Sequence, residues 1–101
     1  MKIIFQDEYL EELAENKEAG KRRYPTDVET AFKKRIFQIK HLAGTQDLRD
    51  IKSLHFEKLK EKRYSGKYSI RLNKAFRLIF QIGKDESLEV IIIEEINIHY
   101  G

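Results

Sequence analysis

The chain has no cysteine, one proline and five glycines among its 101 residues, and no long apolar run. The missing cysteines exclude a disulfide framework, and the scarcity of proline and glycine leaves little chain for linkers. Without about 20 consecutive apolar residues there is no candidate transmembrane helix. The opening MKIIFQDEYL is too short in apolar run and too acidic for a secretory signal, so a cytoplasmic protein is the expectation. Internal repeats and low-complexity segments are also missing. What is there is an ordinary globular mixture, 41% hydrophobic and 37% charged, and residues 1–101 are long enough for one domain with a modest core.

The formal net charge is only +3, but it is unevenly spread. Residues 1–20 carry two lysines against six acids. Residues 52–77 hold Lys52, Lys58, Lys60, Lys62, Arg63, Lys67, Arg71, Lys74 and Arg77 against Glu57 and Glu61, nine cations less two acids, or +7. Such a local field suits a polyanion, although a charge run is also what an ordinary solvated face looks like.

Periodicity orders the chain. Residues 2–6 predict a short opening strand, and Asp7 is placed to cap a helix with Tyr9, Leu10, Leu13 and Ala14 at helical spacing. Residues 19–25 break it. Thr26 followed by Glu29 forms a capping-box pattern, and Val28, Ala31, Phe32, Ile36, Ile39, Leu42 and Ala43 repeat on one face up to Gly44. Residues 45–50 predict one more helical turn. After that the period changes to two.

Tyr68, Ile70 and Leu72 alternate with Lys67, Ser69 and Arg71, and Phe76, Leu78, Phe80 and Ile82 alternate with Arg77, Ile79 and Gln81. Parity sets the hairpin register, because directly opposed residues share a face. A two-residue turn would put Arg71 opposite Phe76 and drive charge into the core. A three-residue connection, Asn73 to Ala75, pairs Ile70 with Leu78 and leaves Arg71 opposite Arg77 on the other face. Like charges directly opposed on a sheet cost up to roughly 1 kcal/mol. Either water and the nearby Glu57 or Glu61 screen the pair, or the two arginines make an anion-binding face, for which the planar guanidinium fork is suited. Residues 83–87 read as the next turn, and residues 88–96, apolar on both faces, as an interior strand that ends at Asn97, Ile98, His99 and Tyr100.

The residues Phe56-Glu57-Lys58-Leu59-Lys60, then Gly66-Lys67-Tyr68-Ser69-Ile70-Arg71, then Ala75-Phe76-Arg77-Leu78-Ile79-Phe80, then His99-Tyr100, in this order and spacing, resemble the RelE superfamily of bacterial toxins. The overall pattern is similar to HigB-type toxins, while the Glu-x-Leu-Lys element and the His-Tyr end resemble YoeB. The resemblance covers most of the chain and is strongest over residues 54–100. It implies an α+β fold, an N-terminal strand and two helices packed on a twisted antiparallel sheet, and cleavage of messenger RNA on the ribosome. It also implies a cognate antitoxin with a helix-turn-helix DNA-binding domain, and no cofactor.

RNA cleavage through the 2′-hydroxyl needs a base for that proton, cationic stabilisation of the phosphorane and an acid for the leaving 5′ oxygen. On the YoeB pattern the resemblance assigns Glu57 as general base, Lys60 to the scissile phosphate, Arg77 to the transition state, His99 as general acid and Tyr100 to the nucleotide. Lys58, Lys62, Arg63, Lys67, Arg71 and Lys74 are the candidate RNA-binding cations. Most HigB sequences read Leu-His-Pro-Leu-Lys-Gly where this chain reads Leu54-His55-Phe56-Glu57-Lys58-Leu59-Lys60-Glu61. Aligning the Leu-His pairs makes His55 the alternate base, whereas aligning the Leu-Lys pairs favours Glu57. Three scattered histidines without cysteine give no metal-ligand spacing. A non-catalytic ParE-like gyrase inhibitor, or an inactive RNA-binding domain, would use the same fold without the base, acid and arginine. Acidic residues 7–18 and the run Lys21-Arg22-Arg23 are further candidate contact surfaces.

Overall fold

The computed structural model describes residues 1–17 and 19–98. Strand β1 (Lys2–Phe5) is followed by helices α1 (Glu8–Ala14), α2 (Thr26–Lys40) and α3 (Thr45–Asp50) and by strands β2 (Glu57–Lys58), β3 (Tyr68–Arg71), β4 (Phe76–Asp85) and β5 (Leu88–Ile98). The strands form a sheet in the order β1-β5-β4-β3-β2, and 3₁₀ turns at Lys52–Leu54 and Lys62–Tyr64 bracket β2. Strands β2 to β5 pair antiparallel, whereas β1 pairs parallel with β5, Ile3 lying opposite Ile91. No hairpin dictates that last pairing, because the helices and the other strands all intervene between β1 and β5.

Helical spacing brings Tyr9, Leu10 and Leu13 of α1, Val28, Phe32, Ile36 and Ile39 of α2, and Leu48 of α3 onto one face of the sheet, against Ile70, Leu78, Phe80, Ile91, Ile93 and Ile96. Each fully buried Leu, Ile or Phe is worth about 1.5–3 kcal/mol, so this layer carries most of the stability. Asp7 caps α1 as its position predicts, Oδ1 accepting from the Leu10 amide at 3.0 Å. Thr26 and Glu29 make no capping box: α2 begins after Pro25 without a side-chain cap, and Glu29 turns inward instead. There its carboxylate accepts from the Tyr9 hydroxyl at 2.6 Å and lies 3.3 Å from Arg22 Nε, which satisfies a charge that is almost fully buried. Burial first, and the Glu29 carboxylate second, raise the Tyr9 phenol above its ordinary value.

The expected register of the β3–β4 hairpin is present: Ile70 opposes Leu78 and Arg71 opposes Arg77. Asn73 closes the connection, its Oδ1 accepting from the amides of Ala75 (2.9 Å) and Phe76 (2.8 Å). Residues 83–87 are not a five-residue turn. Strand β4 continues to Asp85, which pairs with Leu88, and the reversal is confined to Glu86 and Ser87, with Glu86 at φ +59°. The two-faced apolarity of β5 also has a local cause. A bulge at Glu94 switches parity, so Ile91 and Ile93 face the helices before it and Ile96 after it.

Helix α3 is tied to the sheet from outside itself. Glu89 on β5 accepts from the Thr45 amide at 2.9 Å and from the Thr45 hydroxyl at 2.8 Å. A Cβ on Gly44 would lie 3.0 Å from Glu89 Oε1, so a side chain there would push the carboxylate back by a few tenths of an ångström. These bonds, the backbone one first, hold the Glu89 carboxyl below the usual carboxylate range. Its contribution is therefore full above the ordinary carboxylate pKa and is lost as the pH falls through the lowered folded value. Glu89→Ala is expected to cost about 1 kcal/mol in urea denaturation at neutral pH, with the difference from wild type shrinking in acid.

Candidate active site

Strand alternation puts Ser69, Arg71, Arg77, Ile79 and Gln81 on the sheet face opposite the helices. That face is not open throughout. Residues 59–64 fold back over it, and Leu59 and Tyr64 pack on Ile79 as a second small apolar cluster. The Tyr64 hydroxyl accepts from Asn97 Nδ2 on β5, which pins the segment across the sheet. Gly66, at φ +79°, then turns the chain into β3.

Arg77 lies at the edge of this cover and is only 7% exposed. Its guanidinium carbon sits 5.6 Å from the centre of the Tyr64 ring. Nη2 donates to Glu61 Oε1 at 3.2 Å, Nη1 is 3.7 Å from Glu57 Oε1, and among the described residues Nε has no hydrogen-bond partner. A buried guanidinium without counter-charge would cost several kcal/mol, so the two carboxylates answer the like-charge problem that the register posed. Arg71 is turned away from its neighbour, Nη1 reaching His55 Nε2 at 3.4 Å.

The result is a pocket of about 120 Å³ lined by His55, Glu57, Ser69, Arg71, Asn73, Phe76 and Arg77. His55 takes its place because the chain turns there through a left-handed residue, φ 49° and ψ 49°, an uncommon conformation outside glycine. Glu57 enters from the edge strand β2, opposite Ser69. The pocket thus combines a half-exposed carboxylate, an imidazole and two guanidiniums, a set able to hold a phosphate and to move a proton.

Other candidate residues lie outside it. Lys60 is exposed and does not line the pocket, and Lys58 lines a neighbouring cleft with Arg49, Phe56, Glu57 and Tyr68. Lys62 and Lys74 are exposed, and Arg63 lies over the Tyr64 ring at 4.7 Å and 3.9 Å from Glu61. Lys67 is engaged by Glu94 at 2.5 Å, with the Gln81 amide on the other carboxylate oxygen. His99 and Tyr100 lie outside the described residues, as does Glu18 of the acidic segment. The sequence reading gave no site role to Ser69 or Asn97, placed Asn73 only in the hairpin connection, and used Glu61 only as a screening charge. Tyr64 carried no periodic signal, because a 3₁₀ turn places it.

Tyr64→Phe is expected to keep the floor under Arg77 but to lose the bond from Asn97, costing about 1 kcal/mol in chemical denaturation. Tyr64→Ala is expected to cost about 3–5 kcal/mol by emptying the small cluster.

The geometry can now be set beside known proteins. No curated protein matches the sequence. Among solved structures the fold is similar to a YoeB/ParE toxin from Agrobacterium tumefaciens, with TM-score 0.60 and 14% identity over 99% of this chain and 100% of that one. It is also similar to a chain of the YoeB-YefM complex from Staphylococcus aureus, with TM-score 0.57 and 19% identity over 99% and 98% of the two chains. At these identities the likeness establishes the fold alone. The family is established by sequence: residues 3–94 match the HigB-like toxin model, described as the RelE-like toxin of the type II toxin-antitoxin system HigB, and the chain belongs to that family.

Proposed function

We propose that this toxin is a ribosome-dependent endonuclease that cuts messenger RNA by attack of the 2′-hydroxyl on the adjacent phosphate. The observation that carries the reading is the buried Arg77 guanidinium at a pocket whose wall also holds Glu57, Arg71 and His55. Glu57 takes the 2′-hydroxyl proton, the 2′ oxygen bonds to phosphorus, and Arg77 and Arg71 balance the charge that gathers on the equatorial oxygens. The bond to the 5′ oxygen breaks, leaving a 2′,3′-cyclic phosphate and a 5′-hydroxyl. The family pattern assigns the proton for that leaving oxygen to His99, positioning of the nucleotide to Tyr100, and a phosphate contact to Lys60.

The exposed Lys58, Lys62, Arg63 and Lys74 supply the long-range attraction for RNA. Lys67 contributes less, because Glu94 already compensates it. A cognate antitoxin, of the helix-turn-helix type, belongs to the same proposal. Family membership supports it, as does the likeness to a toxin solved in complex with YefM. The substrate puts the protein in the cytoplasm. Among the described residues no helix is long and apolar enough to cross a membrane.

Primer extension on translating ribosomes tests the reading. Wild-type protein is expected to cut, and Arg77→Ala to cut on the order of 100-fold to 1000-fold more slowly. Uncut message with folded wild type refutes the reaction. Glu57→Gln is expected to slow cleavage by about 100-fold or more, and His55→Gln by less; the reverse ranking would make His55 the base.

A further inference from the structure

Arg77 is the cation best placed to grip a phosphate, yet its fork is already occupied. Glu61 takes Nη2 at 3.2 Å, and among the described residues this is the one hydrogen bond the guanidinium makes. A carboxylate oxygen there stands where a phosphate oxygen would bind. Glu57, at 3.7 Å, is within ion-pair range but beyond hydrogen-bond reach, so it leaves the fork's donors unfilled. Bringing in a phosphodiester without moving Glu61 would crowd a third anion around one buried guanidinium.

Glu61 has another place to go. Its second oxygen lies 3.9 Å from Arg63 Nε, and both side chains are substantially exposed, 49% for Glu61 and 71% for Arg63. Rotation of a half-exposed side chain transfers the carboxylate from Arg77 to Arg63 while Leu59 and Tyr64, both buried, keep the segment anchored. The covering segment itself need not open.

We propose that Glu61 is an internal stand-in for the substrate phosphate: it satisfies Arg77 in the free protein and gives way to Arg63 when an RNA phosphate enters. This residue therefore sets the anion affinity of the site. The proposal rests on the assignment of this pocket to RNA but not on cleavage. One unit charge a few ångströms from the bound phosphate opposes its binding, and with that charge on a half-exposed side chain its removal is expected to tighten binding by roughly 10-fold.

The experiment is calorimetric titration of the full chain with a 2′-O-methyl RNA hexamer, which binds but cannot be cut, at one fixed salt concentration. Glu61→Gln keeps the shape and an acceptor for Arg77, and its melting temperature verifies folding; Glu61→Ala is the second variant. Both are expected to bind roughly 10-fold more tightly than wild type, and the gain is expected to vanish when Arg77→Ala is added. Unchanged or weaker binding by the folded variants, including no detectable binding by any of the proteins, overturns the proposal, as does a gain that survives without Arg77. Tighter binding without cleavage on ribosomes would sustain the role of Glu61 and reject the reaction, while cleavage with no gain in binding would do the opposite.

Discussion

The arrangement of the second sheet face follows from the burial of one charge. Arg77 enters the sheet at a position fixed by hairpin parity, and the segment 59–64 covers it. Once covered, a guanidinium must find acceptors, and the covering segment and β2 bring two carboxylates with them, Glu61 and Glu57. The Tyr64 ring supplies the floor and Asn97 fixes that ring. Removing a carboxylate leaves a buried cation under-compensated, and removing the ring or its pin opens the cover, which is why the surrounding residues form one unit rather than a set of separate contacts.

This constraint also separates cations that serve the site from those that only surround it. Counting residues 52–77 gives a strongly positive segment, but Lys67 is paired with Glu94 on the bulge of β5, and Arg77 is paired twice. Arg71 remains exposed at the pocket wall, held toward His55. A field of exposed lysines attracts RNA without selecting a bond, whereas a buried fork, aligned by its neighbours, presents fixed donors to one phosphate.

The hairpin was legible in the sequence, because only one connection length keeps both arginines out of the core. The helix stripes were legible for the same reason of periodicity. Other features depended on contacts between distant parts of the chain. Glu29 had the spacing of a capping box, but the Tyr9 hydroxyl and Arg22 drew it inward. The reversal after β4 looked long because Gly83, Lys84 and Asp85 are poor strand formers, yet pairing with Leu88, Glu89 and Val90 overrides that local preference. At the site, hairpin parity pointed to Arg71 and Arg77 and the family resemblance to Glu57 and His55, whereas the burial of Arg77 and the part played by Glu61 and Tyr64 were hidden, since an irregular segment has no period to read.

On the proposed reading the buried guanidinium of Arg77 receives the substrate phosphate. Its Nε–H, buried and with no partner among the described residues, is a direct reporter of that event. Nitrogen-edited NMR of the arginine side chains during titration with non-cleavable RNA is predicted to shift the Arg77 Nε–H signal in proportion to saturation, together with that of Arg71. A saturating titration that moves the signals of exposed cations and leaves the Arg77 Nε–H unchanged would mean that the phosphate binds elsewhere.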